Sequence, residues 1–215
     1  MSARRKNIWS DESGAALLEF TAAVFTFLIV LFGVVEFAYV FFQWNAATKA
    51  VQLGARLAAV SNPVSSDLTT LSGVGGSVPG GLMPYFNRVC TSDSDTGATG
   101  TCTGGGTYNA ASATAMRTIV FGRGKTACAA PTSARDIGMC NIFDRITPRN
   151  VIIRYENTGL GYAGRPGGPV PTITVSLTGL TYNFILIGDL AGLNSMQLPS
   201  FATTVTGEDL NLAGS

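Results

Sequence analysis

The chain has 215 residues, with 14 Lys or Arg and 13 Asp or Glu, and its formal net charge is +1. This balance does not indicate a nucleic-acid partner, which a strongly basic surface would suggest. The sequence contains no His, which excludes Ser-His-Asp and Cys-His nucleophile systems and His-ligated metals. We therefore expect a protein that is not an enzyme, with no catalytic residue, metal site or cofactor.

Residues 15–60 predict one long helix that begins inside a membrane and continues outside it. Residues 20–35 carry no charge, and about 20 apolar residues suffice to cross a bilayer. We place the membrane part at about residues 17–42. Beyond it, apolar residues recur at intervals of four and three, which is typical of one face of a helix. That predicted face consists of Ala46, Ala50, Leu53, Leu57 and Val60, whereas Lys49, Gln52 and Arg56 lie off it.

The charges around the apolar segment predict its orientation. Three basic residues precede it, Arg4, Arg5 and Lys6. The segment that follows it, up to residue 60, contains only two, Lys49 and Arg56. The positive-inside rule places the N-terminus in the cytoplasm and the remainder of the chain outside. The apolar run is longer than that of a cleaved secretory signal, so we expect a retained single-pass anchor.

The four cysteines, Cys90, Cys102, Cys128 and Cys140, all follow the apolar segment and form two pairs, each twelve positions apart. Among the three possible connectivities we favour Cys90–Cys102 and Cys128–Cys140. Disulfides indicate an oxidising compartment, in agreement with the charge argument. Four buried free thiols remain the alternative.

The junction before the apolar segment reads GAALLEF, from Gly14 to Phe20. A carboxylate at the start of a membrane helix, here Glu19, is unfavourable unless it has a partner. If the chain were cut after Gly14, Ala15 would carry a new α-amino group that Glu19 could neutralise, in its own chain or in a neighbour. The alternative is an acid that reaches water at the cytoplasmic boundary.

Glu36 is a second acid within the apolar run. It could pair with a basic residue of a neighbouring helix. We favour the other interpretation, in which it marks the outer membrane boundary and its carboxylate reaches water.

These features resemble a known family. The short basic leader that ends in Gly14, with Glu19 and Phe20 at positions five and six after it, resembles a type IV prepilin signal. Together with the segment GARLAA at residues 54–59, it is similar to the TadE-like family, the minor pilins or pseudopilins of Tad/Flp pilus systems. The resemblance covers about the first 60 residues.

The resemblance implies a function and a location. It implies cleavage by a prepilin peptidase between Gly14 and Ala15, with Glu19 as the acid of the signal. It also implies residence in the bacterial inner membrane, contacts with other pilin subunits and pilus assembly proteins, and either incorporation into an extracellular pilus or priming of its assembly. Major Flp-type pilins are usually much shorter, which favours a minor role.

The rest of the chain predicts a small sheet between polar loops. Residues 117–121, 151–156, 172–177, 181–187 and 201–205 read as short strands, and 172–177 with 181–187 predict a hairpin. After the first of them, GRGKT at residues 122–126 ends like a phosphate-binding loop, but Ile119 stands where that motif requires Gly. We expect the outer half of the long helix to cover one face of the sheet.

The predicted fold is therefore α+β, with a long N-terminal transmembrane and amphipathic helix on a small antiparallel sheet, the general pilin plan. We divide the chain into a leader at 1–14, the helix at 15–60 and an extracytoplasmic Gly/Thr-rich β domain at 61–215. A signal-anchored binding domain or adhesin is the main alternative, and a membrane-anchored hydrolase is a weaker one.

Overall fold

The computed structural model describes residues 12–104, 109–166, 168–184, 188 and 195–207. The chain forms two compact units. The first, which we call the anchor unit, contains the chain up to Phe41 and the segment Asn183–Met196. The second, the core unit, contains Phe42–Tyr182 and the residues from Gln197 onward.

A single helix, α1, runs from Glu12 to Val60 over 49 residues. The prediction of one continuous helix is confirmed. The chain in this region contains no Pro, so that every residue after the first turn can donate its backbone N–H within the helix. Helix α1 ends just before Asn62-Pro63, where the residue that precedes a proline disfavours helical geometry.

In the core unit, the buried face of α1 consists mainly of small residues. Its members are Ala47, Ala50, Val51, Gly54, Ala55, Ala58 and Ala59. The predicted face was therefore placed wrongly in part: Ala50 is buried, but Ala46, Leu53 and Leu57 are half-buried and Val60 is exposed. Small residues occupy the buried face because they let the rest of the core unit approach the backbone of α1 closely. Lys49, Gln52 and Arg56 are exposed, as the spacing predicts.

The closest approach occurs at Gly54. A Cβ atom at this position would lie 2.5 Å from Sδ of Met139, which is fully buried in the 3-10 turn Met139–Asn141. The thioether of Met139 therefore occupies the space that a side chain at position 54 would need. Gly54 thus favours close packing against Met139, and it has no unusual backbone angle.

We expect Gly54→Val to lower the free energy of unfolding of the core unit by about 1–3 kcal/mol, because added methyl groups force Met139 out of its place. Urea unfolding followed by Trp44 fluorescence measures the change. The matched control is Met139→Ala, in whose background Gly54→Val should cost clearly less. Equal losses in both backgrounds would contradict the contact.

The core unit contains a six-stranded antiparallel sheet in the order β3-β2-β1-β4-β5-β8. Its strands are β1 (Asn87–Ser92), β2 (Gly100–Thr103), β3 (Asn109–Ala110), β4 (Val151–Glu156), β5 (Thr172–Leu177) and β8 (Phe201–Thr206). Two further strands, β6 (Thr181–Asn183) and β7 (Ser195–Gln197), form a separate two-stranded sheet. Together with α1, these strands confirm the predicted α+β class.

The sheet has one buried and one polar face, because side chains alternate along each strand. Cys90 lies opposite Ile153, Ile153 opposite Val175, and Tyr155 opposite Ile173, and all are fully buried. The other face carries partly or fully exposed residues, among them Thr91, Arg154, Thr174 and Thr204. The outer half of α1 packs on this sheet, where Trp44 makes an edge-to-face contact with Phe201 of β8.

Two predictions about the strands are wrong. Residues 117–121 belong to a helix, α2 (Ala113–Phe121), whose N-terminus is capped by the Ser112 side chain. Strand β5 does not form a hairpin with the segment after it, because β4 and β8 occupy its two edges and the following strand, β6, pairs with β7. The predicted strand at 201–205 is confirmed as β8, at the edge of the sheet.

Two disulfides constrain the core unit, Cys90–Cys102 and Cys128–Cys140, the pairing favoured by the spacing. The first joins directly opposed residues of β1 and β2 and is fully buried. The second ties the exposed Cys128 to the buried Cys140, in the turn that packs against Gly54. Each therefore fastens a loop to a part of the core.

The chain after α1 is fastened to the sheet by Tyr155. The buried phenol of Tyr155 accepts a hydrogen bond of 3.0 Å from the backbone N–H of Val64. Burial raises the pKa of Tyr155 well above its ordinary value, so that the phenol stays neutral over the physiological range. This contact fixes the segment that leaves α1 beside the end of β4.

Candidate assembly helix and processing junction

The apolar half of α1 is exposed along most of its length. Only 6% of its most apolar 18-residue window is buried, which distinguishes it from the core helix of a globular domain. The helix is long and apolar enough to cross a membrane. Its exposed large side chains include Leu17, Leu18, Phe20, Phe25, Phe27, Val30, Val34 and Phe37. Such a surface requires lipid or other apolar helices around it.

The hydroxyl groups in this half are satisfied within the helix. Thr21 donates its hydroxyl to the carbonyl of Leu17 at 2.7 Å, and Thr26 donates to that of Ala22 at 2.9 Å. These bonds to residue i−4 leave no hydroxyl proton in need of water. The two threonines of the uncharged segment 20–35 can therefore lie in a bilayer without an unsatisfied hydroxyl group.

Aromatic residues mark the end of the apolar half. Tyr39, Phe41, Phe42 and Trp44 are all exposed, and Tyr and Trp are enriched where membrane meets water. Gln43, between the last two, is buried in the structure and accepts a hydrogen bond of 3.2 Å from Arg145. The aromatic residues agree with a membrane boundary close to residue 42, at the start of the core unit.

The candidate processing junction lies in the first turns of α1. Gly14, Ala15, Glu19 and Phe20 are all exposed there, and nothing lies within 4 Å of the place where a Cβ of Gly14 would be. The residues of the leader before Glu12 lie outside the described residues. The junction is therefore exposed in the first turns of α1, where Gly weakens helical structure.

Helical geometry brings Glu19 and Ala15 together. They are four residues apart, which places them on the same face, and side chains of a helix lean toward its N-terminus. Glu19 and Ala15 therefore lie on the same side of α1, one turn apart. In the intact chain the backbone nitrogen of Ala15 is a neutral amide, and only cleavage would make it a cation.

The burial of Glu36 contradicts the interpretation that we favour from the sequence, in which its carboxylate reaches water. Its residue is 4% exposed, so its carboxylate is not at a water-facing boundary. The sequence indicates which side of a helix is buried only when one side is apolar and the other polar. Around Glu36 the residues on every side of the helix are apolar. Sequence reasoning could not have found this burial.

The other predicted residues lie elsewhere. All four cysteines belong to the core unit, whereas Gly14, Ala15, Glu19 and Phe20 belong to the anchor unit. The structure therefore groups the junction residues in two adjacent turns and keeps the disulfides in the folded unit. Sequence reasoning also missed Gly54, although its segment, Gly54-Ala55 followed by Ala58-Ala59, carries small residues at helical spacing.

Comparison with known proteins gives one match. Residues 14–56 match the sequence model of the family described as TadE-like protein. No curated protein and no solved structure matches the chain. The matched segment begins at Gly14, extends through the exposed apolar half of α1 and includes most of the small-residue face that packs in the core unit. The resemblance seen in the sequence is thus confirmed for residues 14–56, which are similar to the TadE-like family.

Proposed function

We propose that the protein is a structural minor pilin, or pseudopilin, of a Tad-type pilus, processed after Gly14 and assembled through α1. The observation that carries the proposal is the exposed apolar half of a helix whose other half is built into a folded unit. A helix of this kind both anchors a subunit and supplies the surface by which subunits pack. Its position within the TadE-like segment supports the same assignment.

Processing supplies the charge that assembly requires. A prepilin peptidase would cut between Gly14 and Ala15, which are exposed at the start of α1. The new α-amino group has an ordinary pKa near 8 and is a cation at neutral pH. Glu19 then has a partner of opposite charge one turn away or on a neighbouring subunit, where the low dielectric strengthens their attraction.

Location follows from the same features. The anchor would hold the protein in the bacterial inner membrane with the core unit outside the cytoplasm. The two disulfides support an oxidising compartment for the core unit, and the three basic residues before the apolar segment support a cytoplasmic N-terminus. The partners are the prepilin peptidase, other pilin subunits and the pilus assembly proteins.

The test is Glu19→Ala in cells that produce the pilus. We expect normal membrane levels and normal cleavage, but a loss of at least about tenfold from the sheared pilus fraction, because the amine of Ala15 is left unpaired in an apolar environment. Quantitative immunoblots of membranes and sheared pili measure both pools.

The matched control is Thr26→Ala, an exposed polar residue of the same helix half whose hydroxyl bonds only within α1. It should leave incorporation unchanged. Incorporation of Glu19→Ala at the wild-type level would overturn the proposed assembly role. The protein would then be a signal-anchored binding domain.

A further inference from the structure

The core unit contains a polar pocket of about 350 Å³ beside α2. We call it the α2 pocket, and it is lined by Ser61, Asn62, Ser112, Thr114, Ala115, Thr118, Arg123 and Gly124. Its volume lies within the range of small-molecule sites. None of these lining residues is acidic, and none has a large apolar side chain.

Backbone contacts hold the two walls of the α2 pocket together. The N–H of Ser112 donates to the carbonyl of Val64 at 2.8 Å, and Ser65 forms an isolated antiparallel bridge with Ala111. These bonds bring the segment that follows α1 against the start of α2. The hydroxyl-bearing residues Thr114 and Thr118 lie four positions apart, on one side of α2.

Arg123 is placed at the pocket by two glycines. Gly122 ends α2 with a φ of 98°, and a Cβ there would lie 1.9 Å from the carbonyl oxygen of Asp136. Gly124 follows with a φ of 71°. Only Gly adopts such angles readily, so this turn depends on both glycines. The guanidinium of Arg123 supplies the one formal charge among the lining residues.

A second observation at the pocket is independent of charge. Ser61 is 6% exposed, and its Oγ has no hydrogen-bond partner among the described residues. Buried polar atoms without partners are rare and unfavourable. Since Ser61 lines the pocket, a polar group bound there would satisfy this hydroxyl.

From these observations we infer that the α2 pocket binds a carboxylate-bearing sugar, that is, one uronic acid unit of an acidic polysaccharide. The guanidinium of Arg123 recognises the carboxylate by charge-assisted hydrogen bonds. The hydroxyls of Ser61, Thr114 and Thr118 and the amide of Asn62 match the hydroxyls of a sugar ring. The absence of large apolar residues from the lining argues against an apolar peptide side chain. This binding goes beyond assembly and gives the core unit a ligand of its own.

The test is titration of the full-length protein with glucuronate and with galacturonate oligomers, by calorimetry and ligand-observed NMR. The detergent must lack a sugar headgroup, because such a headgroup would compete. We expect binding of a uronate that is at least about tenfold tighter than binding of glucose or of acetate, since glucose lacks the charge and acetate lacks the ring. Absence of uronate binding, or equal affinity for acetate, would overturn the inference.

Two variants locate the site. Arg123→Gln should weaken uronate binding at least about tenfold, whereas Arg135→Gln, an exposed arginine outside the lining, should leave it unchanged. Ser61→Ala should weaken binding about two- to tenfold while leaving thermal stability unchanged or raised, because it removes an unsatisfied buried hydroxyl. If Arg123→Gln and Arg135→Gln bind equally, or if Ser61→Ala loses stability and not affinity, the assignment to this pocket is wrong. Neither result bears on processing or pilus assembly.

Discussion

Replacing Arg88 by Met should lower the free energy of unfolding of the core unit by about 3 kcal/mol, the lower end of the cost of breaking a buried ion pair from one side, since the side chain of Asp67 is 22% exposed. Arg88 lies on the buried face of β1, opposite Tyr155, and its side chain is 6% exposed. Its Nε donates to Oδ2 of Asp67 at 2.8 Å. The substitution would leave the carboxylate of Asp67 without its cation.

Two backbone carbonyls add to this cost. Nη1 of Arg88 donates to the carbonyl of Asn87 at 3.1 Å and to that of Gly104 at 3.0 Å. Gly104 has a φ of 118°, and a Cβ there would lie 2.0 Å from the carbonyl oxygen of Asn87. Position 104 has no room for a side chain, because the backbone there lies very close to the start of β1. Loss of Arg88 would remove the donor shared by both carbonyls.

The matched control is Arg154→Met, since Arg154 lies on the exposed face of the same sheet and pairs with Val89, the neighbour of Arg88. It should change stability by no more than about 0.5 kcal/mol. Urea unfolding of the full-length protein in detergent gives both values. Asp67→Asn should cost less in the Arg88→Met background than in the wild type. Equal losses for Arg88→Met and Arg154→Met would show that the ion pair does not stabilise the fold.

The second large effect concerns the disulfides. Removing Cys90–Cys102 by a double substitution to Ala should lower the free energy of unfolding by about 3 kcal/mol in the chain-entropy model, and packing should add to this loss. Both disulfides join residues 12 positions apart, so the same model gives the same loss for Cys128–Cys140. The difference between the two double variants therefore isolates the effect of packing.

Burial predicts the sign of that difference. Cys90 and Cys102 are both fully buried, whereas Cys128 is exposed. We expect the Cys90→Ala, Cys102→Ala variant to lose about 1–2 kcal/mol more than the Cys128→Ala, Cys140→Ala variant, because it leaves a cavity beneath the sheet. Urea unfolding curves of the two variants, fitted with a common baseline, measure the difference between their free energies of unfolding. A larger loss for the Cys128–Cys140 variant would indicate that the exposed loop, and not the sheet, limits stability.

Much of the fold could be predicted because some segments carry strong periodic signals. Helix α1 combines an uncharged run with helical spacing, and β5 alternates apolar and hydroxyl residues from Ile173 to Leu177. In β5 the alternation coincides with burial, whereas in α1 the apolar run identifies the helix but not its buried face. Strand pairing does not leave such a signal, since β5 pairs with β4 and β8 across long loops, and the short connection to β6 favoured a hairpin that does not form.

Helix α2 shows how local composition misled the prediction. Thr118, Ile119 and Val120 are β-branched and favour strands in isolation. In the folded chain Ala115, Met116, Ile119 and Val120 are buried, a spacing that belongs to a helix. Ser112 as an N-cap and Gly122 at the C-terminus were the signals that could have identified it.

The candidate junction could be identified from the sequence because its residues lie close together in the chain. The α2 pocket could not, because its residues are far apart in the chain. Gly14, Ala15 and Glu19 lie within six positions. The pocket brings Ser61 together with Arg123, and contacts between residues far apart in sequence, those of Val64 with Ser112 and Tyr155 and of Ser65 with Ala111, hold its walls. The sequence motif around Arg123 suggested a phosphate loop that its spacing rules out.

The most direct test of the proposed function is the mass and N-terminal residue of the protein purified from membranes of cells with and without the prepilin peptidase. We predict that the mature chain begins at Ala15 only when the peptidase is present, and that Trp44 is then its single tryptophan, because Trp9 leaves with the leader. A chain that begins at Met1 or Ser2 in both strains would contradict processing after Gly14, and with it the assignment of the protein to the pilus.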